Sequence, residues 1–125
     1  MSYDIEICVK VEGCGKYATV ARPERDQPTY NLGEMFSACM DWGYSQSKQD
    51  ENGEYHTCYY PCEFVIEKVE RGIKELRTHR AKYEKYNPSN GWGDIDSAVR
   101  TLESLRECIY EQAANIPLNC LYMRW

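Results

Sequence analysis

Two apolar stripes with helical spacing constrain the fold of this chain more than any other feature. Apolar residues recur every three or four positions over residues 62–76, and again over residues 95–109. This spacing places one side of each predicted helix against a core. Residues 87–93 lie between the two stripes and contain proline, glycine and asparagine, which interrupt helices. The sequence therefore predicts two long helices joined by a sharp turn.

The ends of these helices are also marked in the sequence. Pro61 suits the first helical position, because its missing N–H would be unpaired there in any case. We expect that helix to end near Arg80, or to continue through Tyr83. Asp94 is predicted to cap the second helix, and the segment 115–117, with asparagine and proline, to end it.

A shorter helix is predicted over residues 32–42. Asn31 is the expected N-cap, and Glu34 stands three positions later, as a capping box requires. Residues 43–55 show no periodicity and are expected to form a solvated loop. The side chains expected inside this helix are those of Leu32, Met35, Phe36 and Cys39.

Strand patterns occur at both ends of the chain. Residues 3–11 alternate apolar and polar side chains, residues 13–15 supply a turn, and residues 16–21 read as a second strand with Tyr17, Thr19 and Ala21 on one face. Residues 118–125 alternate weakly and could add a last strand. The order predicts an α+β fold: a small antiparallel sheet, made of the N-terminal hairpin and the C-terminal strand, packed by three helices in a single domain over 1–125.

Charge and hydropathy exclude several classes of protein. The net charge is −5, which argues against non-specific nucleic-acid binding, since that requires a basic surface. No apolar run reaches the length of a membrane span, so no membrane association is expected. The basic residues of 61–90 alternate with glutamates, which is typical of a solvated helix face.

The seven cysteines are expected to be reduced thiols in a cytoplasmic protein. The N-terminal residues lack the basic and apolar regions of a secretory signal. Cys39 and Cys108 fall on apolar helical stripes, where cysteine acts as a small hydrophobic residue. Cys8 shares its strand face with Glu6 and Lys10, which leaves its burial open.

A zinc site is the clearest metal hypothesis. His56, Cys58 and Cys62 place three ligands of the types zinc prefers within seven residues. A fourth ligand could come from elsewhere in the chain. The competing interpretation puts Cys62 in the apolar stripe of its helix, with no metal. No cofactor is therefore expected, with zinc as the alternative. The candidates for the fourth ligand are Cys14, Cys39 and Cys120.

Patterns for catalysis are weak. Residues 13–16 (Gly-Cys-Gly-Lys) resemble a phosphate loop only in part, because the spacing, the following Ser or Thr and the helix are missing; a hairpin turn is expected. The only histidines are His56 and His79. Cys58 and His56 are close in sequence and could pair, but no third orienting group is evident, and His79 lies on the charged side of its helix. Asp94 and Asp96 could pair as carboxylates, but acidic residues are common where a helix begins. We therefore expect no enzymatic activity.

Aromatic residues are the candidate contacts for a partner. They make up 13% of the chain, and eleven are tyrosine. Trp92 has two interpretations, packing between the long helices or an exposed anchor. The candidate partner-binding residues are Tyr30, Trp42, Tyr44, Tyr59, Tyr60 and Trp92.

Three segments resemble one family. They are residues 2–5 (Ser-Tyr-Asp-Ile), 29–36 (Thr-Tyr-Asn-Leu-Gly-Glu-Met-Phe) and 87–93 (Asn-Pro-Ser-Asn-Gly-Trp-Gly). Together they resemble a family of small, uncharacterised proteins from bacteria and their phages or mobile elements. The resemblance implies a compact α+β fold and a bacterial cytoplasm, and supplies no catalytic residues. Small proteins of this kind often bind other proteins, including as inhibitors of host defence such as anti-CRISPRs.

The sequence thus predicts a non-enzymatic, acidic, cytoplasmic binding protein, encoded by a phage or mobile element, that inhibits a host protein. Two alternatives remain open. One is a small-ligand or nucleotide-binding protein that stacks its ligand on tyrosine and tryptophan rings. The other is an interaction module stabilised by zinc at His56, Cys58 and Cys62.

Overall fold

The described part of the chain consists of strands at both ends around a helical middle. The computed structural model describes residues 5–23, 32–41, 47–49, 51–88 and 93–124, and side chains are not described at 47–49 and 55–57. The strands are β1 (Glu6–Lys10), β2 (Tyr17–Ala21), β3 (Ser47–Gln49), β4 (Tyr55–Thr57), β5 (Tyr60–Pro61) and β6 (Leu121–Arg124). The helices are α1 (Gly33–Met40), α2 (Cys62–Thr78), α3 (Arg80–Tyr83) and α4 (Ile95–Ala113).

The main sheet is antiparallel, with strand order β2-β1-β6-β5. The predicted hairpin and C-terminal strand are confirmed, and with them the α+β class. A fourth strand, β5, was not predicted, because two residues are too few to show an alternating pattern. It pairs Tyr60 with Met123 and Pro61 with Tyr122. The sheet therefore continues directly into α2, since Pro61 is followed by the first helical residue.

A second, two-stranded sheet includes part of the predicted loop at 43–55, namely β3 and the first residue of β4. Strand β3 pairs with β4, from Ser47 opposite Thr57 to Gln49 opposite Tyr55. Gly53 has a φ of 81°, a conformation that glycine adopts without strain and that tight turns require. The loop prediction was wrong here because polar composition alone was read as irregular structure, although Asn52-Gly53 is a turn signal.

The hydrophobic core lies between the helices and one face of the main sheet. Both predicted stripes are confirmed on α2 and α4, and Cys108 is buried with them as expected. Val99, predicted to point inward, is only half-buried, whereas Thr101 is buried. The sheet contributes Ile7, Leu121 and Met123, each fully buried. Each buried aliphatic side chain is worth roughly 1.5–3 kcal/mol, so this layer dominates the stabilising side of folding. No described helix is long and apolar enough to cross a membrane.

The start of α2 differs by one residue from the predicted one, and its end lies close to the predicted Arg80. Pro61 is the N-cap, with an extended ψ of 129°, so the helix begins one residue later than expected. The helix ends at Thr78, and His79 breaks it with φ −120° and ψ 43° before α3 begins. Tyr83 is buried on α3 and its hydroxyl donates to a carboxylate oxygen of Glu75, 2.9 Å away. That contact holds the short helix against α2.

The N-caps of the other helices differ from each other. Asp94 caps α4 as predicted: its carboxylate accepts from the Ser97 N–H at 2.8 Å, and the Ser97 hydroxyl accepts from the Asp94 N–H at 2.7 Å. Leu32 is the N-cap of α1, and it makes no capping hydrogen bond with its side chain. The predicted cap, Asn31, lies outside the described residues.

Candidate functional site

The two faces of β1 have different environments. On one face, Ile7 pairs with Met123 and belongs to the hydrophobic core. On the other face, Glu6 is 4% exposed and Cys8 is 1% exposed, yet neither is part of that core. Cys8 lies between Thr19 of β2 and Tyr122 of β6. This outer face is therefore covered by side chains of the neighbouring strands, and Cys8 is as buried as a core residue.

Glu6 is held by two arginines from distant parts of the sequence. Its carboxylate oxygens accept from the guanidinium groups of Arg22 and Arg124, and Thr19 Oγ1 donates to the same carboxylate at 3.2 Å. Arg124 lies directly opposite Glu6 on β6, whereas Arg22 follows the end of β2. A buried carboxylate needs such partners, because desolvation of an unpaired charge costs several kcal/mol.

This arrangement fixes the ionised state of the carboxyl. The hydrogen bond from Arg124 lowers the pKa of Glu6 below 4.5, against the opposing effect of burial. The same contact raises the pKa of Arg124. Glu6 is therefore a carboxylate at neutral pH with donors on both of its oxygens, and its role is to order the side chains around it.

Three tyrosine rings form the surface beside this network. Tyr17 stacks on Tyr59 with ring centroids 3.8 Å apart and an angle of 7° between the planes. Tyr122 meets Tyr17 edge-on, at 5.2 Å and 77°. Each ring is half-buried. We call the surface formed by Tyr17, Thr19, Tyr59 and Tyr122 the tyrosine face.

The tyrosine face spans the sheet from one edge to the other. Tyr17 belongs to β2 at one edge, while Tyr59 immediately precedes β5 at the opposite edge. Their stacking therefore ties both edges across the outer face. Aromatic pairs of this kind contribute about 1 kcal/mol each beyond the area they bury. This surface is thus held in one arrangement by contacts within the chain.

A β-bulge determines which side chains of β2 reach this face. The pairing register shifts between Ile7 and Cys8, so that Ala21 pairs with Ile7 while Thr19 pairs with Cys8. Ala21 consequently packs on the core, and Thr19 points outward. The prediction that Tyr17, Thr19 and Ala21 share one face was wrong for Ala21, because simple alternation does not account for an extra residue.

The predicted partner-binding residues lie in different parts of the structure. Tyr59 lies on the tyrosine face. Tyr60 pairs with Met123 and packs against the hydrophobic core, so it does not join that surface. Four candidates lie outside the described residues, and their roles stay predictions: Tyr30, Trp42, Tyr44 and Trp92.

The proposed zinc ligands are only partly described. Cys62, the first residue of α2, is fully buried in the core, and burial raises the pKa of its thiol to about 12. Cys58 is half-buried, and the side chain of His56 lies outside the described part of the structure. Among the described side chains, no group of three histidine, cysteine or acidic residues has the spacing of a metal site. The three-ligand site stays a prediction, and the core position of Cys62 matches its competing interpretation.

The other residues considered for catalysis or phosphate binding make hydrogen bonds that stabilise the fold. Residues 13–16 form the predicted turn, closed by a hydrogen bond of 2.7 Å from the Val11 N–H to the Lys16 carbonyl. A solvent-open depression of about 430 Å³ lies beside this turn. Asp96 accepts two hydrogen bonds from Arg80, at 2.7 and 3.1 Å, while Asp94 caps α4. The two aspartates therefore act separately and do not form a catalytic pair.

Sequence reasoning missed most of the tyrosine face. Tyr17 and Tyr122 were not singled out, nor were the charged residues Glu6, Arg22 and Arg124. One signal was available, since alternation in β1 puts Glu6 and Cys8 opposite the apolar face. A glutamate in a strand that other strands flank on both sides needs a cationic partner. The identity of that partner depends on the register, which the sequence does not show.

The comparisons with known proteins add no relatives. No protein-family model, no curated protein sequence and no solved structure matches this chain.

Proposed function

We propose that this chain is a non-enzymatic binding protein that contacts another protein through the tyrosine face. The observation that carries the proposal is the ordered cluster of Tyr17, Tyr59 and Tyr122 beside a carboxylate that is paired with two arginines. Tyrosine is enriched in the residues that dominate protein interfaces, because its ring buries a large area while its hydroxyl stays hydrated. A surface fixed by stacking also loses little conformational entropy on binding.

The titratable groups of the described residues support a binding role more than a catalytic one. Glu6 is held as a carboxylate by its arginine partners. Burial raises the pKa values of the Cys39 and Cys62 thiols to about 12, which keeps both protonated and poorly nucleophilic at neutral pH. The environments of Glu6, Cys39 and Cys62 therefore favour structural roles over chemical reactivity.

The setting of this function is proposed from the resemblance described above. We propose that the protein acts in the cytoplasm of a bacterium, is encoded by a phage or mobile element, and inhibits a host protein such as a defence factor. The nucleotide-binding alternative gains no support from the tyrosine face. Tyr17 and Tyr59 stack on each other at 3.8 Å, so no base can enter between them without separating the rings.

The test compares two tyrosines on opposite layers of the molecule. Tyr59→Ala removes one ring from the tyrosine face. Tyr110→Ala is the matched control, because Tyr110 is 50% exposed on α4 and hydrogen-bonds Glu70 at 2.9 Å. Each variant is first checked for the wild-type far-ultraviolet circular dichroism spectrum. A partner captured from a bacterial host lysate by the wild-type protein is then purified, and its Kd is measured against all three proteins.

The expected result is a loss of affinity of about tenfold or more for Tyr59→Ala, with wild-type affinity for Tyr110→Ala, as for an interface hot spot. Equal affinities for Tyr59→Ala and the wild type would contradict the proposal. So would a larger loss for Tyr110→Ala, because the contact would then lie on the helical layer.

A further inference from the structure

We propose that β2 is an open docking edge, onto which the partner adds one extended strand with acidic residues at both ends. This inference rests on the proposed function, since it assigns the chemistry of the partner segment. Within the described residues, β2 is the outermost strand of the main sheet and pairs only with β1. Strand addition to such an edge is a common mode of peptide recognition.

The backbone of β2 directs hydrogen-bonding groups toward this edge, where no other strand of the described residues pairs with them. The Val11 N–H donates to the Lys16 carbonyl. Because bonded and non-bonded pairs alternate along an antiparallel ladder, Ala18 bonds back to Val9, whereas the N–H and C=O groups of Tyr17 and Thr19 point away from β1. These outward groups can pair with an incoming strand.

The regular part of β2 is largely exposed and carries no charged side chain. Ala18, Thr19 and Val20 are exposed, and the strand contains neither proline nor a charged residue. Natural edges are commonly protected by lysine, proline or a bulge. Here the bulge lies at the far end of β2, between the pairs to Cys8 and Ile7, so the regular edge covers residues 17–19.

The charges at the two ends of β2 identify the occupant. Lys16 and Arg22 flank the strand, and both are exposed. A second copy paired antiparallel with β2 would bring the Lys16 end of each strand near the Arg22 end of the other, and like charges repel there. A partner strand with acidic ends meets attraction at both ends. Arg22 is bonded to Glu6 but keeps 64% of its side chain exposed, and Arg124 shares the same carboxylate, so these three groups together carry a net positive charge. The edge therefore favours an acidic-ended segment of another protein over self-association.

The docked strand would also extend the tyrosine face. The outward-pointing side chains of Tyr17 and Thr19 belong to that face, and every second side chain of an added strand lies beside them. Backbone hydrogen bonds would then supply affinity, while the alternate side chains would supply specificity.

The test uses an acetylated hexapeptide of alternating valine and threonine between two glutamates, and a second peptide with lysine at both ends. Each is titrated into the full-length protein and followed by amide NMR. We expect the amide signals of Tyr17 and Thr19 to shift, and their hydrogen exchange to slow, with the glutamate-ended peptide. Binding of the lysine-ended peptide should be several-fold weaker.

Two pairs of variants separate backbone and charge contributions. Thr19→Pro removes an outward N–H that an edge strand does not need for its own ladder, whereas Thr19→Val keeps that N–H and removes only the hydroxyl. Loss of one backbone hydrogen bond predicts about fivefold weaker peptide binding for Thr19→Pro than for Thr19→Val. Lys16→Glu should weaken binding, while Lys74→Glu, an equal charge change on the exposed face of α2, should not. If Thr19→Pro fails to fold, the comparison of Lys16→Glu with Lys74→Glu tests the proposal.

The proposal is overturned if millimolar peptide leaves the β2 amide signals unchanged, or if the two peptides bind equally well. It is also overturned if the protein self-associates through β2 in the absence of peptide. Partner capture that depends on Tyr59 but is insensitive to Thr19→Pro would leave the proposed function standing and remove the edge from it. Partner capture that is lost with Thr19→Pro but is insensitive to Tyr59→Ala would contradict the proposed role of the tyrosine face and leave the docking edge standing.

Discussion

The ionised Glu6 side chain stands where an apolar residue would ordinarily stand, in a strand flanked on both sides. It is tolerated because Arg22, Arg124 and Thr19 together satisfy its oxygens. The arginines remain partly hydrated, with 64% and 32% of their side chains exposed. Their charges therefore keep much of their hydration while compensating the buried carboxylate. Removing the carboxylate leaves two arginines that water can still stabilise.

Glu6→Gln should reduce the stability at pH 7 by about 3 kcal/mol, between the roughly 1.5–3 kcal/mol of a charged hydrogen bond and the roughly 3–5 kcal/mol of breaking a buried ion pair. The folded-state pKa of Glu6 lies below its ordinary 4.5. Its contribution is therefore complete above about pH 4.5 and disappears as pH falls through the lowered value. Urea unfolding between pH 7 and pH 3 should show a steeper acid loss for wild type than for Glu6→Gln. Glu107→Gln, an exposed control on α4, should parallel wild type; parallel curves for all three proteins would contradict the prediction.

The cysteines differ enough in environment to be distinguished chemically. All seven lie in the described residues, and none is in a disulfide; Cys14 and Cys120 are exposed, whereas burial raises the pKa values of Cys39 and Cys62 to about 12. Since the thiolate is the reactive form, iodoacetamide at pH 8 should modify Cys14 and Cys120 first. Cys39 and Cys62 should react only as fast as the protein unfolds. Mass spectrometry of peptides over time measures this order, and rapid modification of Cys62 would show that it does not lie in the core as described.

At the scale of elements, the packing of α1, α2 and α4 depends on how closely the helices approach one another at Gly72. Gly72 lies on the buried side of α2, facing α1 and α4. A Cβ at this position would lie 3.1 Å from both Leu102 Cδ1 and Met40 Sδ, and 3.3 Å from Met40 Cβ. Two of these atoms end flexible side chains, but the third is fixed to the backbone of α1. The absence of a side chain at Gly72 therefore sets how closely the three helices pack.

Gly72→Ala should destabilise the protein by about 1 kcal/mol overall. Overpacking costs roughly 2 kcal/mol, and the gain in helix propensity offsets about half of it. Adding Met40→Ala should relieve the clash, so the double variant should lose less stability than the sum of the two single variants. Chemical unfolding of the wild type, the two single variants and the double variant measures the four stabilities of this double-mutant cycle. A Gly72→Ala variant that is more stable than the wild type would contradict the prediction, because the helices would then move apart at little cost.

The elements that sequence reasoning identified correctly are those with a long repeating pattern. Helices α2 and α4 carry their apolar stripes over several turns, and β1 and β2 flank an evident turn. The misses are short or locally irregular. Strand β5 has two residues and exists because β6 pairs with it, and the break at His79 has no proline or glycine to announce it. Such features depend on tertiary contacts, which a local pattern does not contain.

At the scale of the whole molecule, the chain brings its two ends together at the centre of the sheet. Strands β1 and β6 are neighbours, and the Glu6–Arg124 ion pair joins residues 118 positions apart. The core uses one face of this sheet, and the tyrosine face occupies the other. From the sequence, only Tyr59 of this surface was predicted as a partner contact. The other rings and the charges beneath them are assembled by the β6–β1 pairing and by the bulge, neither of which a local pattern reveals.

The central claim is that the tyrosine face is the surface that meets a partner in the cell. Site-specific photocrosslinking tests it most directly, with p-benzoylphenylalanine placed at Tyr59, at Tyr122 or, as the control on the helical layer, at Tyr110. Irradiation of a bacterial host that expresses each variant should link one and the same protein to positions 59 and 122, and leave position 110 unlinked. Linkage at position 110 alone, or equally at all three positions, would contradict the account.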